Sequence, residues 1–402
     1  MKVTISKSHA KGSLLAPPSK SMAHRLLIAA GLAFGKSIIQ GVAPSEDILA
    51  TIDCLKALGA ECHYENDTVT VTGIGGKIKQ ENATLFCREC GSTLRFFVPI
   101  ALLSESTTVF TGSERLLSRP MSIYEAICQQ QHLVFEHHGS RILVKGKLSA
   151  GHYTVPGNIS SQFISGLLFA LPLLDNDSTI TVTEPIESRS YIDLTVKALA
   201  DFGVFVRWQN RNTLLIQGNQ TYLAQQTRVE GDYSNAAFFS ALSYLGGEVK
   251  LQGLDANSLQ GDRVYQEFFE QLQAGTPTLS LADCPDLGPI LFALAGALNG
   301  ATFTNTARLS IKESDRGDAM AEELAKFGIR CTVQKNEITV IKENLHTPST
   351  TLYGHNDHRI VMALSVLLTQ TGGCIEGAEA VSKSMPDFFD RLQELGITLT
   401  VT

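Results

Sequence analysis

Cys54-Leu55-Lys56-Ala57-Leu58-Gly59-Ala60 runs into Glu61-Cys62-His63-Tyr64, a polar pair Asn66-Asp67, and then Thr68-Val69-Thr70-Val71. Gly just past an apolar helical stretch suits the left-handed residue that ends a helix. Apolar alternation on both sides of a polar pair reads as a hairpin. The phrase returns with Gly203, Val204-Phe205-Val206-Arg207-Trp208, a turn at Asn210-Arg211-Asn212, and Leu214-Leu215-Ile216. It returns again with Gly328, a turn at Lys335-Asn336, and Ile338-Thr339-Val340. A weaker copy at residues 133–144 lacks the Gly. The last copy stops after Leu395-Gly396-Ile397-Thr398-Leu399-Thr400, a strand with no return. Val3-Thr4-Ile5 alternates like a strand and is the expected partner of that last segment.

Gly59 and Gly203 stand 144 residues apart, two periods of 72, and Gly328 and Gly396 stand 68 apart. Only 125 residues separate Gly203 from Gly328, so one copy between them is short. The deficit falls at residues 271–282, where a hairpin hardly fits. A βαβαββ unit written six times, three per domain with one shortened, predicts an α+β fold with helices inside and sheets outside. The length of 402 residues also exceeds the roughly 250–300 that one core sustains.

Apolar residues make up 44% of the chain and charged ones 18%, an ordinary globular balance. The net charge of −7 leaves no broad basic surface for a nucleic-acid backbone, although a local cluster of cations can still hold an acidic small molecule. No apolar run approaches the ~18 residues of a membrane span. Eight cysteines with no apolar signal core before them suggest reduced thiols and a cytoplasmic protein. Cys87 and Cys90 have CxxC spacing, but no second ligand pair follows, so the spacing is read as incidental and no metal is expected.

Cations gather in turn-rich segments: Lys20-Ser21 with Arg25, Arg119-Pro120, Lys312-Glu313-Ser314-Asp315-Arg316, His358-Arg359 and Lys383. Pro17-Pro18-Ser19-Lys20-Ser21, Gly91-Ser92-Thr93 and Ser160-Ser161-Gln162 each open an apolar helix, the last over residues 163–174. A helix start offers free N–H groups to an anion, and Arg and Lys beside it fit phosphate and carboxylate oxygens.

Together these segments resemble the 5-enolpyruvylshikimate-3-phosphate synthase (3-phosphoshikimate 1-carboxyvinyltransferase) family. Ser188 with Tyr191-Ile192-Asp193, Glu230-Gly231-Asp232, Gln260-Gly261-Asp262, Cys284-Pro285-Asp286-Leu287 and Asn356-Asp357-His358-Arg359 extend the match in order along the chain. The resemblance implies the two-domain inside-out α/β fold of the enolpyruvyl transferases. Residues 1–16 plus 231–402 would form the domain holding both termini and 17–230 the other, with hinges near 16–18 and 228–232.

The activity implied is transfer of the enolpyruvyl group of phosphoenolpyruvate to the 5-hydroxyl of shikimate 3-phosphate, releasing phosphate, in aromatic amino acid biosynthesis. No cofactor or metal is implied, and a monomer is expected. Lys20, Ser21, Arg25, Ser160, Ser161, Gln162, Ser188, Asp286 and Lys312 would hold shikimate 3-phosphate. Lys20, Gly91, Arg119, Gln162, Arg316, Arg359 and Lys383 would hold phosphoenolpyruvate. Asp286 would accept the hydroxyl proton and Glu313 would give one to the methylene carbon, with Lys20 touching both ligands. Glyphosate would compete with phosphoenolpyruvate beside Gly91. Glu89, Arg308 and Ser310 depart from frequent family residues. The sister transferase acting on UDP-N-acetylglucosamine would carry a loop Cys that this chain lacks. A non-catalytic repeat protein would not need Asp286, Glu313 and Lys20 together.

Overall fold

The computed structural model describes residues 1–402, which divide into two compact units, Met1–Ser19 with Gly231–Thr402 and Lys20–Glu230. Each has its own apolar core.

In Lys20–Glu230, each of three four-stranded sheets joins a parallel pair to an antiparallel hairpin. Lys36–Gln40 lies between Gln226–Arg228 (parallel) and the hairpin Glu61–Glu65/Thr68–Thr72. Thr108–Thr111 lies likewise between Thr84–Phe86 and Val134–His137/Ile142–Lys145. Ser178–Thr183 lies between His152–Pro156 and Val206–Trp208/Thr213–Ile216. The helices Lys20–Leu32, Gly91–Ala101 and Ser161–Ala170 have almost no exposed face. Apolar all round, they are driven to the centre, and the sheets, with one polar face each, go outside.

The same frame builds the other unit around Tyr233–Tyr244, Gly288–Ala297 and His358–Thr371. Thr278–Ser280, Ala301–Thr304 and the hairpin Arg330–Gln334/Glu337–Ile341 make one full sheet. In another, Lys2–Ile5 pairs antiparallel with both Leu399–Val401 and Gly373–Glu376, so the first strand completes the last copy. The third sheet is only two strands, Lys11–Leu15 and Glu248–Gln252, because the helix Tyr265–Ala274 leads through residues 275–277 straight into Thr278–Ser280. On the edge where the hairpin would pair, the Ser243 hydroxyl accepts from Val249 N at 3.1 Å and donates to Val249 O at 3.2 Å. The two chain crossings run together, with Pro18 bridged to Gly231 and Asp232 N donating to Pro17 O at 2.7 Å.

The helix ends explain why the copies look alike. Gly59, Gly203, Gly328 and Gly396 all have positive φ, and the amide after each bonds the carbonyl five residues earlier. In the copy without Gly, His132 takes the left-handed conformation at φ 57° and Leu133 N bonds Cys128 O at 2.8 Å. Where the hairpin is missing, Gly275 is extended at φ 174°.

Candidate active site

In the unit Lys20–Glu230 the candidate residues sit at helix starts. Lys20 and Ser21 open the helix Lys20–Leu32, and Lys20 Nζ pairs with Asp47 Oδ2 at 2.7 Å. Arg25, one turn on and 3% exposed, donates to Thr195 Oγ1 (2.8 Å), Ser21 O (2.6 Å) and Tyr191 O (2.9 Å). Burial lowers its pKa to about 10, partly opposed by Tyr191. These three acceptors are neutral, so they aim the guanidinium without cancelling its charge.

Gly91 is the first residue of Gly91–Ala101. A Cβ there would lie 2.6 Å from Arg119 Nη1, so glycine is what lets that guanidinium lie across the helix start. Ser160 caps Ser161–Ala170 by accepting from Gln162 N at 3.3 Å. The helix therefore opens at Ser161, two residues earlier than the apolar run suggests, and ends before a 3-10 turn at Leu171–Leu173. Arg95 Nη1 donates to Gln162 Oε1 at 2.7 Å and Gln162 Nε2 donates to Ser92 Oγ at 2.8 Å, tying two of the helix starts together. Ser188 stands before Arg189–Asp201 in a left-handed conformation, φ 56°.

In the other unit Lys312, Arg316 and Arg359 meet carboxylates, and Lys383 meets a carbonyl. Arg316, only 1% exposed, donates from Nη1 to Asp286 Oδ1, from Nη2 to Glu313 Oε2 and from Nε to Asp357 Oδ2, each at 2.8 Å. Lys312 Nζ is 3.1 Å from Asp286 Oδ1, and Arg359 Nη2 is 3.4 Å from Asp286 Oδ2. Lys383 Nζ donates to Asn356 O at 2.6 Å. Burial pushes the Asp286 carboxyl up, but Lys312, Arg359 and Arg316 outweigh it and hold its pKa well below the ordinary carboxylate value. Burial lowers the Lys312 ammonium despite Asp286 beside it. The Arg316 guanidinium is raised: burial is overcome by Asp357, Glu313 and Asp286.

A second fastening lies behind this cluster. Glu323, on the same helix as Arg316 and fully buried, accepts from Lys326 Nζ (2.8 Å), Tyr353 N (3.0 Å) and His355 Nε2 (3.0 Å). It pins the turn in which His355 and Asn356 are both left-handed, φ 49° and 52°. That turn delivers Asp357 to Arg316 and the Asn356 carbonyl to Lys383.

Asp286, Lys312, Glu313, Arg316 and Arg359 thus come together, as do Ser21 with Arg25 and Gly91 with Arg119. Asp47, Arg95, Asp357 and Glu323 escaped sequence reasoning as site residues. Arg95 and Asp357 lie inside motifs already singled out, but Asp47 looks like an ordinary first-turn acid after the Ser45 cap. Of the departures, Glu89 accepts from Ser113 Oγ (3.3 Å), Arg308 donates to Ala282 O, and Ser310 donates to Ala307 O (2.9 Å).

Repeated βαβαββ layers, with cations at helix starts in one unit and carboxylates gathered around one arginine in the other, are the parts an enolpyruvyl transferase requires. The comparisons narrow this further. The family model for EPSP synthase (3-phosphoshikimate 1-carboxyvinyltransferase) matches residues 5–392, and the chain belongs to that family. It is 38% identical over 417 residues to the 3-phosphoshikimate 1-carboxyvinyltransferase of Clostridium kluyveri, covering 98% of this chain and 97% of that one. To the Clostridium perfringens protein of the same name it is 39% identical over 418 residues, covering 98% of each. The EPSP synthase structure from Acinetobacter baumannii shares the fold, with a TM-score of 0.82 at 24% identity over 100% of this chain and 99% of that one. No helix is long and apolar enough to cross a membrane.

Proposed function

We propose that this chain transfers the enolpyruvyl group of phosphoenolpyruvate to the 5-hydroxyl of shikimate 3-phosphate and releases phosphate. The observation that carries the reading is Arg316, which binds Asp286 and Glu313 at once. Both carboxylates that the chemistry needs are parked on a cation that can exchange them for the substrate's own anionic oxygens. Binding of phosphoenolpyruvate to Arg316, Arg359 and Lys383 then frees Asp286 to take the hydroxyl proton and Glu313 to deliver one to the methylene carbon. Lys312 supports shikimate 3-phosphate beside Asp286, and Ser21, Arg25, Ser160, Ser161, Gln162 and Ser188 hold the rest of it. Gly91 and Arg119 hold phosphoenolpyruvate, and Lys20 and Gln162 touch both ligands.

The crossings at residues 16–18 and 228–232 serve as hinges, and binding excludes water from the reacting atoms. All eight cysteines are free thiols, which supports work in a reducing cytoplasm, and the protein is taken to act as a monomer. Phosphate release by chelated, purified protein tests the reading. The expected result is release only when both substrates are present. Release from phosphoenolpyruvate alone, or none with both, overturns it. Sedimentation of the same sample checks the monomer.

A further inference from the structure

His24, Asp47 and Cys90 bring a ring nitrogen, a carboxylate oxygen and a sulfur within 4.8 Å of one another. His24 and Cys90 have no role in the transfer described above, and Asp47 enters it only as the partner of Lys20. His24 is on the helix Lys20–Leu32, Asp47 on Glu46–Ala57, and Cys90 caps Gly91–Ala101 by accepting from Thr93 N at 3.4 Å.

The imidazole is prepared to be a ligand. His24 Nδ1 bonds Thr51 Oγ1 at 2.7 Å, and Thr51 Oγ1 lies 2.8 Å from Thr93 Oγ1. With Nδ1–H donated to Thr51, the Nε2 lone pair faces Cys90 Sγ at 3.8 Å. His24 is buried at 1% exposure, and its ring is held in place by the Thr51 hydroxyl. Cys90 sits at a helix start, which favours a thiolate once a metal displaces the proton.

We propose that these three side chains form an inhibitory site for a thiophilic divalent cation such as Zn2+, taken up in exchange for the Lys20 ammonium on Asp47. The charges balance. The Lys20 ammonium swings away on its flexible stem, Cys90 gives up its thiol proton to solvent, and the dication takes the place of both positive charges. Nitrogen, oxygen and thiolate donors at this spacing suit zinc, with solvent completing the shell. The CxxC spacing does not build this site, because the Cys87 thiol turns away to Leu85 O at 3.9 Å. Occupancy removes Lys20 from the anion-holding set and places a metal at the helix start beside Gly91. The inhibitory half of the proposal rests on the transferase reading; the binding half does not.

Co2+ is the probe, since a cysteine–cobalt bond gives a near-ultraviolet charge-transfer band in the full-length protein. Ser is a strong helix cap, so Cys90→Ser keeps the fold while removing the sulfur. The wild type and Cys87→Ser are expected to show the band with one equivalent of Co2+, and Cys90→Ser to lack it and bind at least ~10-fold more weakly. Zn2+ is expected to slow phosphate release in the wild type, reversibly with chelator, and to spare Cys90→Ser. No band in the wild type, or an equal band in Cys90→Ser, overturns the site. Equal inhibition of both proteins overturns its inhibitory role.

Discussion

Arg25 and Arg316, one in each unit, are held in opposite ways. Arg25 is fixed by two carbonyls and a hydroxyl, none of which cancels its charge. Arg316 is wrapped by Asp286, Glu313 and Asp357, so its charge is spent until a ligand competes for it. On the proposed function, the first arrangement is a standing anion trap and the second a balanced lattice that substrate must open. That reading divides residues that hold from residues that react.

The strongest test of that division is Asp286→Asn. It should cut turnover by roughly 10³-fold while leaving both KM values within a few-fold, measured as phosphate release. A large rise in KM for shikimate 3-phosphate with turnover intact would collapse the distinction. Arg25→Lys removes the planar fork from the trap. It should raise KM for shikimate 3-phosphate by about 10²-fold with a smaller change in turnover.

Gly91→Ala tests the trap's other wall. The methyl must push the Arg119 guanidinium aside, and a change of one methyl in a tight site is worth roughly tenfold or more in discrimination. Inhibition by glyphosate should weaken about tenfold while KM for phosphoenolpyruvate rises less; unchanged inhibition would place the inhibitor elsewhere.

Glu323→Gln should least affect turnover. Burial raises the Glu323 carboxyl, but His355, Lys326 and the Tyr353 amide outweigh it and hold its pKa below the ordinary value. Such a group stabilises the fold above its unfolded pKa near ~4.3, and the gain fades as pH falls through the native value. The variant should lose about 2 kcal/mol at neutral pH and converge on the wild type in acid, by urea titration. Its KM for phosphoenolpyruvate should rise severalfold with KM for shikimate 3-phosphate unchanged. A rise in both would show general loosening rather than support for one subsite.

The repeats were legible because each is announced locally: an apolar helix, a left-handed residue, two alternating runs. The pairing of Val3 with Val401 could be anticipated because the last copy visibly lacked a strand. What could not be read were contacts with no local signature. Asp286 and Asp357 reach Arg316 from 30 and 41 residues away, and nothing in their neighbours says which cation they meet. His24 reads as one more residue of an apolar helix until three elements place it beside Asp47 and Cys90. The left-handed cap at His132 was hidden because the rule that finds such caps looks for glycine.

The missing hairpin gives the molecule a splice port. Between Ala274 and Thr278 the chain is short, and no atom lies within 4 Å of where a Cβ on Gly275 would stand. A two-stranded cargo grafted there could dock on the strand Glu248–Gln252 as its siblings' hairpins do, taking over the Val249 bonds that Ser243 now occupies. A reporter peptide carried at that point would complete a sheet rather than interrupt one.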